Sequence, residues 1–220
     1  MLDSFGVLDI VLSAYHLPYV APHLNLLFKE RKMTHLHSIH VACISVQLGD
    51  MFGLPYENLL SLAAGALLHD IGKMDIPESV LDKPGKLTGA EYAQIKRHPQ
   101  CGFIRLMEKD IEHPGVVDLI ILFHHLLRDG TGYPKPEEKL QDFKNIEIPI
   151  EVRIVSVADI FCALVSPRSY KYTYSYNRAI HKLKRMAGPL HETVINELIV
   201  LIKDNRLLLN TTGDILHGLS

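Results

Sequence analysis

The most hydrophobic segment of the chain runs directly into two ionisable residues. The stretch Tyr56 to Asp70, YENLLSLAAGALLHD, is apolar on nearly all sides up to Leu68 and predicts a helix at the centre of the fold. His69 and Asp70 end this helix, so an imidazole and a carboxylate must lie at the end of a buried helix. Because buried polar groups require partners, this pair restricts the chain to folds that supply those partners in the interior.

Helical periodicity extends over most of the remaining chain and predicts the all-α class. Further helices are predicted over 37–53, 115–127, 148–166, 176–188 and 191–203. The run 148–166 also has the composition of a buried strand, but its length favours a helix after Pro149. Thr88 and Glu91 form a candidate capping box for another helix. The first 30 residues predict one or two short helices, and the last 15 predict a loosely attached tail.

Several more histidines and aspartates occupy apolar surroundings or helix ends. Together with the pair above, the set is His37, His69, Asp70, His124, His125 and Asp159. A single histidine on an apolar face is usually a hydrogen-bonded core residue, and a single buried aspartate is usually a cap or an ion-pair partner. Shared coordination of metal explains all six together, and ligands of these types without cysteine suit iron, manganese, zinc or similar divalent ions. A bridging aspartate is typical of two-metal sites that hydrolyse phosphate esters.

Composition limits the classes of function that remain. The 220 residues suit one large domain, and 47% hydrophobic content provides a proper core. A formal net charge of −2 gives no global attraction for a nucleic-acid polymer or an anionic membrane. The longest uncharged apolar run is about half of what a membrane span needs, so no membrane insertion is expected.

The cysteines and the first residues indicate the compartment. Cys43, Cys101 and Cys162 are widely spaced and form no C-x-x-C pair, which fits a reducing environment. The N-terminal stretch carries Asp3 and Asp9 and lacks the basic region of a signal peptide. A cytoplasmic protein is therefore expected.

Three motifs together resemble one known family. HDIGK spans His69 to Lys73, HHLLRDGTGYP spans His124 to Pro134, and VADIFCAL spans Val157 to Leu164. This ordered set resembles the HD-GYP family, the bacterial cyclic di-GMP phosphodiesterases among the HD-domain phosphohydrolases. The resemblance extends from about Thr34 to Leu201, roughly three quarters of the chain. It implies an HD-domain helical bundle with a binuclear metal centre and a GYP loop.

The resemblance also implies which residues bind metal and which act in catalysis. The ligands of two divalent metal ions, with iron or manganese favoured, would be His37, His69, Asp70, His98, His124, His125 and Asp159. Asp70 would bridge the ions, and Lys73 would contact the scissile phosphate. A cation at that position would offset charge that develops on the phosphoryl oxygens. The other histidines match no family ligand and are expected mostly at the surface; they are His16, His23, His35, His40, His113, His181, His191 and His217.

The glycine-rich loop after His125 is expected to form a wall of the site. Gly130 and Gly132 permit positive φ and close backbone approach, and Tyr133 can offer a flat face or a hydroxyl to a nucleotide. On its own, DGTGYP is simply a good turn. The family further implies that Arg168 and Lys171 bind a phosphate or a guanine edge.

Three positions depart from the family pattern. Met33 stands where some members carry a glutamate for a third metal, which predicts two metals rather than three. Leu126 replaces the acid of the usual HHE, and Cys162 replaces the second acid of the usual FDAL. Loss of such acids commonly weakens metal affinity or activity without abolishing a site.

The leading hypothesis is a phosphodiesterase that hydrolyses cyclic di-GMP to pGpG, GMP or both with metal-activated water. One alternative is a weakened HD-GYP module that binds cyclic di-GMP or a protein partner for signalling, and another is an HD hydrolase for a different phosphoester. Homodimerisation and a signalling-protein partner stay open. The predicted organisation is a short helical extension over 1–33, the catalytic domain over 34–204 and a tail over 205–220. The chain is either a stand-alone enzyme or a fragment of a longer protein.

Overall fold

The computed structural model describes residues 2–108, 111–127, 129, 131–134, 147–166, 174–186 and 191–208. Within these ranges, every regular secondary-structure element is a helix, which confirms the predicted all-α class. The α-helices are α1 (Ser4–Tyr15), α2 (Ala21–Glu30), α3 (Lys32–Met51), α4 (Tyr56–Leu68), α5 (Glu78–Leu81), α6 (Gly89–Ile95), α7 (His98–Met107), α8 (Gly115–Phe123), α9 (Ile150–Val165), α10 (Tyr176–Arg185) and α11 (Glu192–Lys203). A 3-10 segment, Ile71–Asp75, connects α4 to α5.

Helix α4 is the centre of the bundle, as its all-round apolar sequence predicts. It packs against α1, α3 and α8, and its residues from Leu62 onward are almost all buried. Gly65 brings α8 close, because a Cβ atom at that position would lie 2.5 Å from Ile120 Cδ1. The close approach of α4 and α8 brings the C-terminal ends of both helices to the same part of the core.

Local sequence signals determine where several helices begin. Pro149 precedes α9 with an extended backbone, so the run 148–166 forms a helix and not a strand. Thr88 and Glu91 form the predicted capping box, in which each side chain accepts from the other residue's backbone amide.

Two predicted helices end earlier than their hydrophobic pattern suggests. Helix α4 ends at Leu68 and α8 ends at Phe123, so the histidines after each lie in turns outside the helix. The helix therefore does not continue from His69 to Lys73, and those two residues do not share a helical face. Their positions are set instead by the 3-10 segment.

Both ends of the described chain pack on the bundle. Helix α1 contacts α3 and α4, and the first turn of α3 lies across the predicted boundary at residue 34. Gln47 donates to the carbonyl of Arg206 at 2.7 Å and accepts from the amide of Leu208 at 3.0 Å. The first residues of the predicted tail are therefore held against α3. Residues 209–220 lie outside the described part.

The expectation that most non-ligand histidines lie at the surface is wrong for two of the seven described ones, whereas the other five are exposed or partly exposed. Among the seven that the structure describes, only His16 and His181 are exposed, whereas His23 and His35 are buried. The ring of His35 is covered because α2 and α3 pack together, and its Nε2 lies 3.2 Å from the Tyr15 hydroxyl.

Among the described residues, every helix is too short or too polar to cross a membrane.

Candidate metal centre

Five elements bring seven side chains together in the interior. Helix α3 contributes His37, the turn after α4 contributes His69 and Asp70, and α7 begins with His98. The turn after α8 contributes His124 and His125, and the middle of α9 contributes Asp159. These are the seven ligands that the resemblance implied. They meet because the ends of α4, α7 and α8 converge where α3 and α9 pass.

Six of the seven side chains form two groups of three, and the carboxylates of Asp70 and Asp159 connect the groups. His98, His124 and His125 form one group, and His37, His69 and Asp70 form the other; within each, the potential ligand atoms lie within 4.8 Å of one another. Three nitrogen or oxygen atoms at this spacing can coordinate one divalent ion, so the arrangement offers two adjacent positions for metal.

Asp70 lies between the two groups. Its Oδ1 lies 3.3 Å from His98 Nε2, while its Oδ2 lies 3.4 Å from His69 Nε2 and 3.8 Å from His37 Nε2. One oxygen therefore faces each group, which is the geometry that a bridging carboxylate requires.

Asp159 has a similar arrangement on the opposite side. Its Oδ1 lies 2.9 Å from His37 Nε2 and 3.9 Å from His69 Nε2. Its Oδ2 lies 3.9 Å from His125 Nδ1 in the other group. The site thus contains two carboxylates that reach both metal positions.

Backbone carbonyls select the tautomer of three of the histidines. The Nδ1 atoms of His69, His98 and His124 lie 2.7, 2.8 and 3.0 Å from the carbonyl oxygens of Ala66, Ile95 and Ile121. Since a carbonyl oxygen only accepts, each Nδ1 carries the proton and each neutral ring presents an Nε2 lone pair. Ligand histidines are commonly oriented in this way.

The resulting lone pairs point at each other. His98 Nε2 and His124 Nε2 lie 3.2 Å apart, and neither can donate to the other when both rings are neutral. Among the described residues, the buried atoms His69 Nε2 and Asp70 Oδ1 make no hydrogen bond. A cation between these atoms satisfies all of them, so the side chains present fit a divalent metal centre.

Burial favours the neutral form of most candidate ligand histidines, whereas the nearby carboxylate of Asp70 raises the pKa of His69 despite its burial. Burial lowers the pKa of His98 to about 3 and holds the pKa of His124 well below its ordinary value. Burial alone would raise the pKa of Asp70, but Lys73 and the nearby imidazoles hold it well below the usual range. Neutral imidazoles and ionised carboxylates are the forms that coordinate metal.

Lys73 is the cation next to this cluster. Its Nζ lies 2.5 Å from Asp70 Oδ2, and its side chain is 23% exposed while that of Asp70 is 1% exposed. The lysine therefore lies between the buried carboxylate and solvent, on a side from which an anionic substrate can approach.

The loop after His125 folds back on the histidine pair. Leu127 donates to the carbonyl of Thr131 at 2.9 Å, and the amide of Tyr133 donates to the carbonyl of His125 at 3.2 Å. Gly132 has φ 93°, and a Cβ atom there would lie 2.1 Å from the His125 carbonyl oxygen. Only glycine combines this backbone conformation with this approach, as the sequence predicted for the position.

Tyr133 packs on the candidate ligands. Its ring centroid lies 4.6 Å from that of His125 at an interplanar angle of 31°, and 6.1 Å from that of His98. Burial raises the pKa of its hydroxyl, so the phenol stays protonated and able to donate. The flat face predicted to meet a nucleotide is packed on His125 on one side.

Three predicted substrate-binding residues lie outside the described part of the chain, whereas the three positions that depart from the family pattern lie within it. Gly130, Arg168 and Lys171 fall outside the described residues, so the structure gives no position for them. Met33 is 66% exposed on α3. Leu126 packs against the core, and Cys162 is fully buried three residues after Asp159. Both positions therefore lie beside ligands, which is where the family carries acids.

Sequence reasoning missed one side chain that supports the site. Ser156 lies on α9, one turn before Asp159, and its hydroxyl contacts the carbonyls of His124 at 2.6 Å and Val152 at 2.9 Å. It links the turn after α8 to the helix that carries Asp159. Its buried position within an otherwise apolar run is the only signal of this role in the sequence.

Comparisons with known proteins agree with this fold and identify the family. A family model described as the HD domain matches residues 19–192. The chain is 40% identical over 153 residues to the cyclic di-GMP phosphodiesterase response regulator RpfG of Xanthomonas campestris, a match that covers 70% of this chain and 38% of that protein. It is 34% identical over 167 residues to 3'3'-cGAMP-specific phosphodiesterase 2 of Vibrio cholerae, covering 76% and 31%.

A solved structure gives the same fold. Bd1817, an HDG"Y"P protein from Bdellovibrio bacteriovorus, superposes with a TM-score of 0.59 at 20% identity, covering 86% of this chain and 61% of that one. The chain spans less than half the length of the two curated relatives.

Proposed function

The chain belongs to the HD-domain family and carries the motifs of its HD-GYP branch, and on this premise we propose that it is a metal-dependent phosphodiesterase that hydrolyses cyclic di-GMP to pGpG, GMP or both. One observation carries the proposal. The Nε2 lone pairs of His98 and His124 converge at 3.2 Å beside the buried carboxylate of Asp70, an arrangement that requires a cation. The relative RpfG, which is named a cyclic di-GMP phosphodiesterase, supports the choice of substrate.

Seven side chains would hold two divalent ions, for which histidine and carboxylate donors favour iron or manganese. They are His37, His69, Asp70, His98, His124, His125 and Asp159. When bound, such a pair of ions lowers the pKa of water and withdraws charge from phosphoryl oxygens. Met33 is exposed and is a poor ligand for hard ions, which supports two ions rather than three.

The protein's own groups would bind and orient the phosphodiester. Lys73 Nζ contacts Asp70 and is partly exposed, so its ammonium would be placed to contact a non-bridging oxygen of the scissile phosphate if metal held the Asp70 carboxylate. The Tyr133 phenol, held in its protonated form, can donate a hydrogen bond to the substrate. Gly130, Arg168 and Lys171 would complete the substrate site, with the two cations on phosphate or a guanine edge.

A second candidate substrate is 3'3'-cGAMP. The Vibrio cholerae relative that is specific for it is 34% identical to this chain, so sequence similarity does not separate the two cyclic dinucleotides. A third outcome, binding without hydrolysis, is suggested by Leu126 and Cys162, which replace acids beside the ligands.

The location and partners belong to the same proposal. No disulfide joins Cys43, Cys101 and Cys162, all of which the structure describes, and this supports the reducing environment of the cytoplasm. A homodimer or a signalling partner would add regulation without changing the chemistry.

The test is a direct assay of metal and product. The protein is purified anaerobically, its bound metal is measured, and cyclic di-GMP and 3'3'-cGAMP are each followed by chromatography with Fe(II) or Mn(II). We expect the wild type to hydrolyse cyclic di-GMP. The variant His124→Ala should lose both this activity and bound metal. Two bound metals with no product from cyclic di-GMP would refute the proposed activity.

A further inference from the structure

An exposed tyrosine lies on the helix that leads into the metal centre. Helix α6 ends at Ile95, whose carbonyl oxygen orients the candidate ligand His98 through a 2.8 Å contact with Nδ1. Tyr92 lies three residues before Ile95, so both occupy neighbouring positions on the same helical face. Tyr92 is nevertheless 48% exposed, which is unusual for a large aromatic ring next to a buried cluster.

The helix that carries Tyr92 is firmly fixed despite its short length. The capping box of Thr88 and Glu91 holds its first turn. The Glu91 carboxylate also receives Lys83 Nζ at 2.7 Å on each of its two oxygens. These contacts fix the first turn of α6 and therefore the backbone next to Tyr92.

The surroundings of Tyr92 combine an aromatic surface with a cation. Lys96 Nζ lies 5.2 Å from the centre of its ring, one turn further along the chain. Tyr133 is the aromatic residue of the site itself, and Tyr92 lies on the helix whose last carbonyl orients the ligand next to Tyr133. Tyr133 in turn contacts His125 and His98. Aromatic rings therefore occur both at the candidate ligands and on the exposed helix that precedes His98.

We propose that Tyr92 and Lys96 form a nucleotide subsite at the rim of the metal centre, in which Tyr92 stacks on a purine base and Lys96 contacts the phosphate that is not being cleaved. The inference rests on the proposed function, because it assigns specificity to the same reaction. A cyclic dinucleotide carries two bases and two phosphates, of which the metal centre and Lys73 engage only one phosphate. The second phosphate and the two bases therefore offer further contacts beyond those proposed for Arg168 and Lys171, and an aromatic surface with a cation suits them.

Stacking of this kind strengthens substrate binding and does not change the rate of the chemical step. Replacing one stacking aromatic commonly weakens nucleotide binding by about ten- to a hundredfold. Tyr92→Ala is therefore expected to raise KM for cyclic di-GMP about tenfold with kcat and metal content near those of the wild type. Tyr92→Phe and Tyr92→Trp should restore KM, and Lys96→Ala should raise KM to a smaller extent.

A matched control is available on the same chain. Tyr56 is 54% exposed at the start of α4, the end of that helix opposite to His69. Over 13 residues the two ends are about 20 Å apart, so Tyr56→Ala should leave KM unchanged. Inorganic phosphate, which carries no base, should inhibit the wild type and Tyr92→Ala with equal inhibition constants.

The outcomes separate this subsite from the proposed activity. Equal KM values for the wild type and Tyr92→Ala, or a loss of metal in that variant, would overturn the subsite while hydrolysis by the wild type upholds the activity. If the wild type does not hydrolyse cyclic di-GMP, equilibrium binding of cyclic di-GMP is measured instead. Weaker binding by Tyr92→Ala then supports the subsite without the activity; equal binding, or none by the wild type, overturns the subsite.

Discussion

The ring of Tyr133 packs on the imidazole of His125 at a centroid distance of 4.6 Å. The tyrosine therefore supports a candidate metal ligand as well as facing the substrate side. Tyr133→Phe keeps the ring and should retain metal, whereas Tyr133→Leu removes the flat contact and should weaken metal affinity by about tenfold. Titration of the apoprotein with Mn²⁺ measures the effect.

The same pair of variants separates the two roles of Tyr133. If the hydroxyl donates to the substrate, Tyr133→Phe should raise KM or lower kcat with normal metal content. Normal metal affinity in Tyr133→Leu would show that the stacking on His125 does not position the ligand.

The approach of Gly132 to His125 predicts a local effect of substitution. Gly132→Ala places a methyl group against the His125 carbonyl at a positive φ, so the loop must move. Gly85→Ala is the matched control. Gly85 has φ 108°, so the backbone cost is comparable, about 1–3 kcal/mol, but the added atom would meet nothing within 4 Å. Both variants should lose stability in urea denaturation, but only Gly132→Ala should also lose metal and turnover. Equal metal content in the two would contradict the role of the loop.

Lys73→Ala tests the contact with the scissile phosphate. The ammonium lies 2.5 Å from Asp70 Oδ2, and bound metal would replace its charge at that carboxylate. We expect turnover to fall by about a hundredfold or more, while metal content stays near that of the wild type. Single-turnover assays at saturating substrate check this, and unchanged rates would refute the role.

The buried histidines predict how the metal-free protein responds to pH. Burial lowers the pKa of His98 to about 3, and those of His124, His125 and His37 are also lowered. In the unfolded chain these histidines take up protons below pH about 6.5, whereas in the folded protein they stay neutral. The free energy of unfolding is therefore fully present above that pH, and it falls as the pH drops toward the lower pKa values of the folded state.

The pKa values of Asp70 and Asp159, which face the cluster, are held well below their usual range, so both carboxylates stay ionised over this interval. Burial alone would lower the pKa of His69, but the nearby Asp70 and Asp159 raise it overall, so His69 opposes the trend.

The expected loss is up to about 1.4 kcal/mol per pH unit for each histidine whose pKa is lowered. Urea denaturation of the chelator-treated protein between pH 7.5 and 5 measures it. His98→Asn removes one titrating group and should give a shallower dependence; an identical slope would argue against a neutral, buried His98.

Metal removal should destabilise the folded state. Since His98 Nε2 and His124 Nε2 face each other at 3.2 Å, the metal-free site contains opposed lone pairs in the interior. Mn²⁺ at a hundred times its dissociation constant should increase the free energy of unfolding by about 2.7 kcal/mol per site. Thermal melting with and without Mn²⁺ checks this, and His124→Ala should respond less.

Much of the fold and the membership of the site could be predicted from residue order. The apolar faces, Pro149 and the Thr88 capping box are local signals, and the structure has the corresponding helices. Polar residues on apolar faces indicated His37, His69, Asp70, His124, His125 and Asp159, because an unpaired buried charge is unfavourable wherever it occurs along a chain. His98 was identified only through its motif, since its local sequence resembles an ordinary helix start.

Only the tertiary structure determined how these side chains meet. It assigned one oxygen of Asp70 to each group of ligands, ended α4 before His69, and packed Tyr133 on His125. None of these follows from sequence spacing, because each depends on how the ends of separate helices approach one another. Residue types along the chain determined that a polar cluster had to exist, whereas helix packing determined which atoms face the metal positions and which rings face solvent.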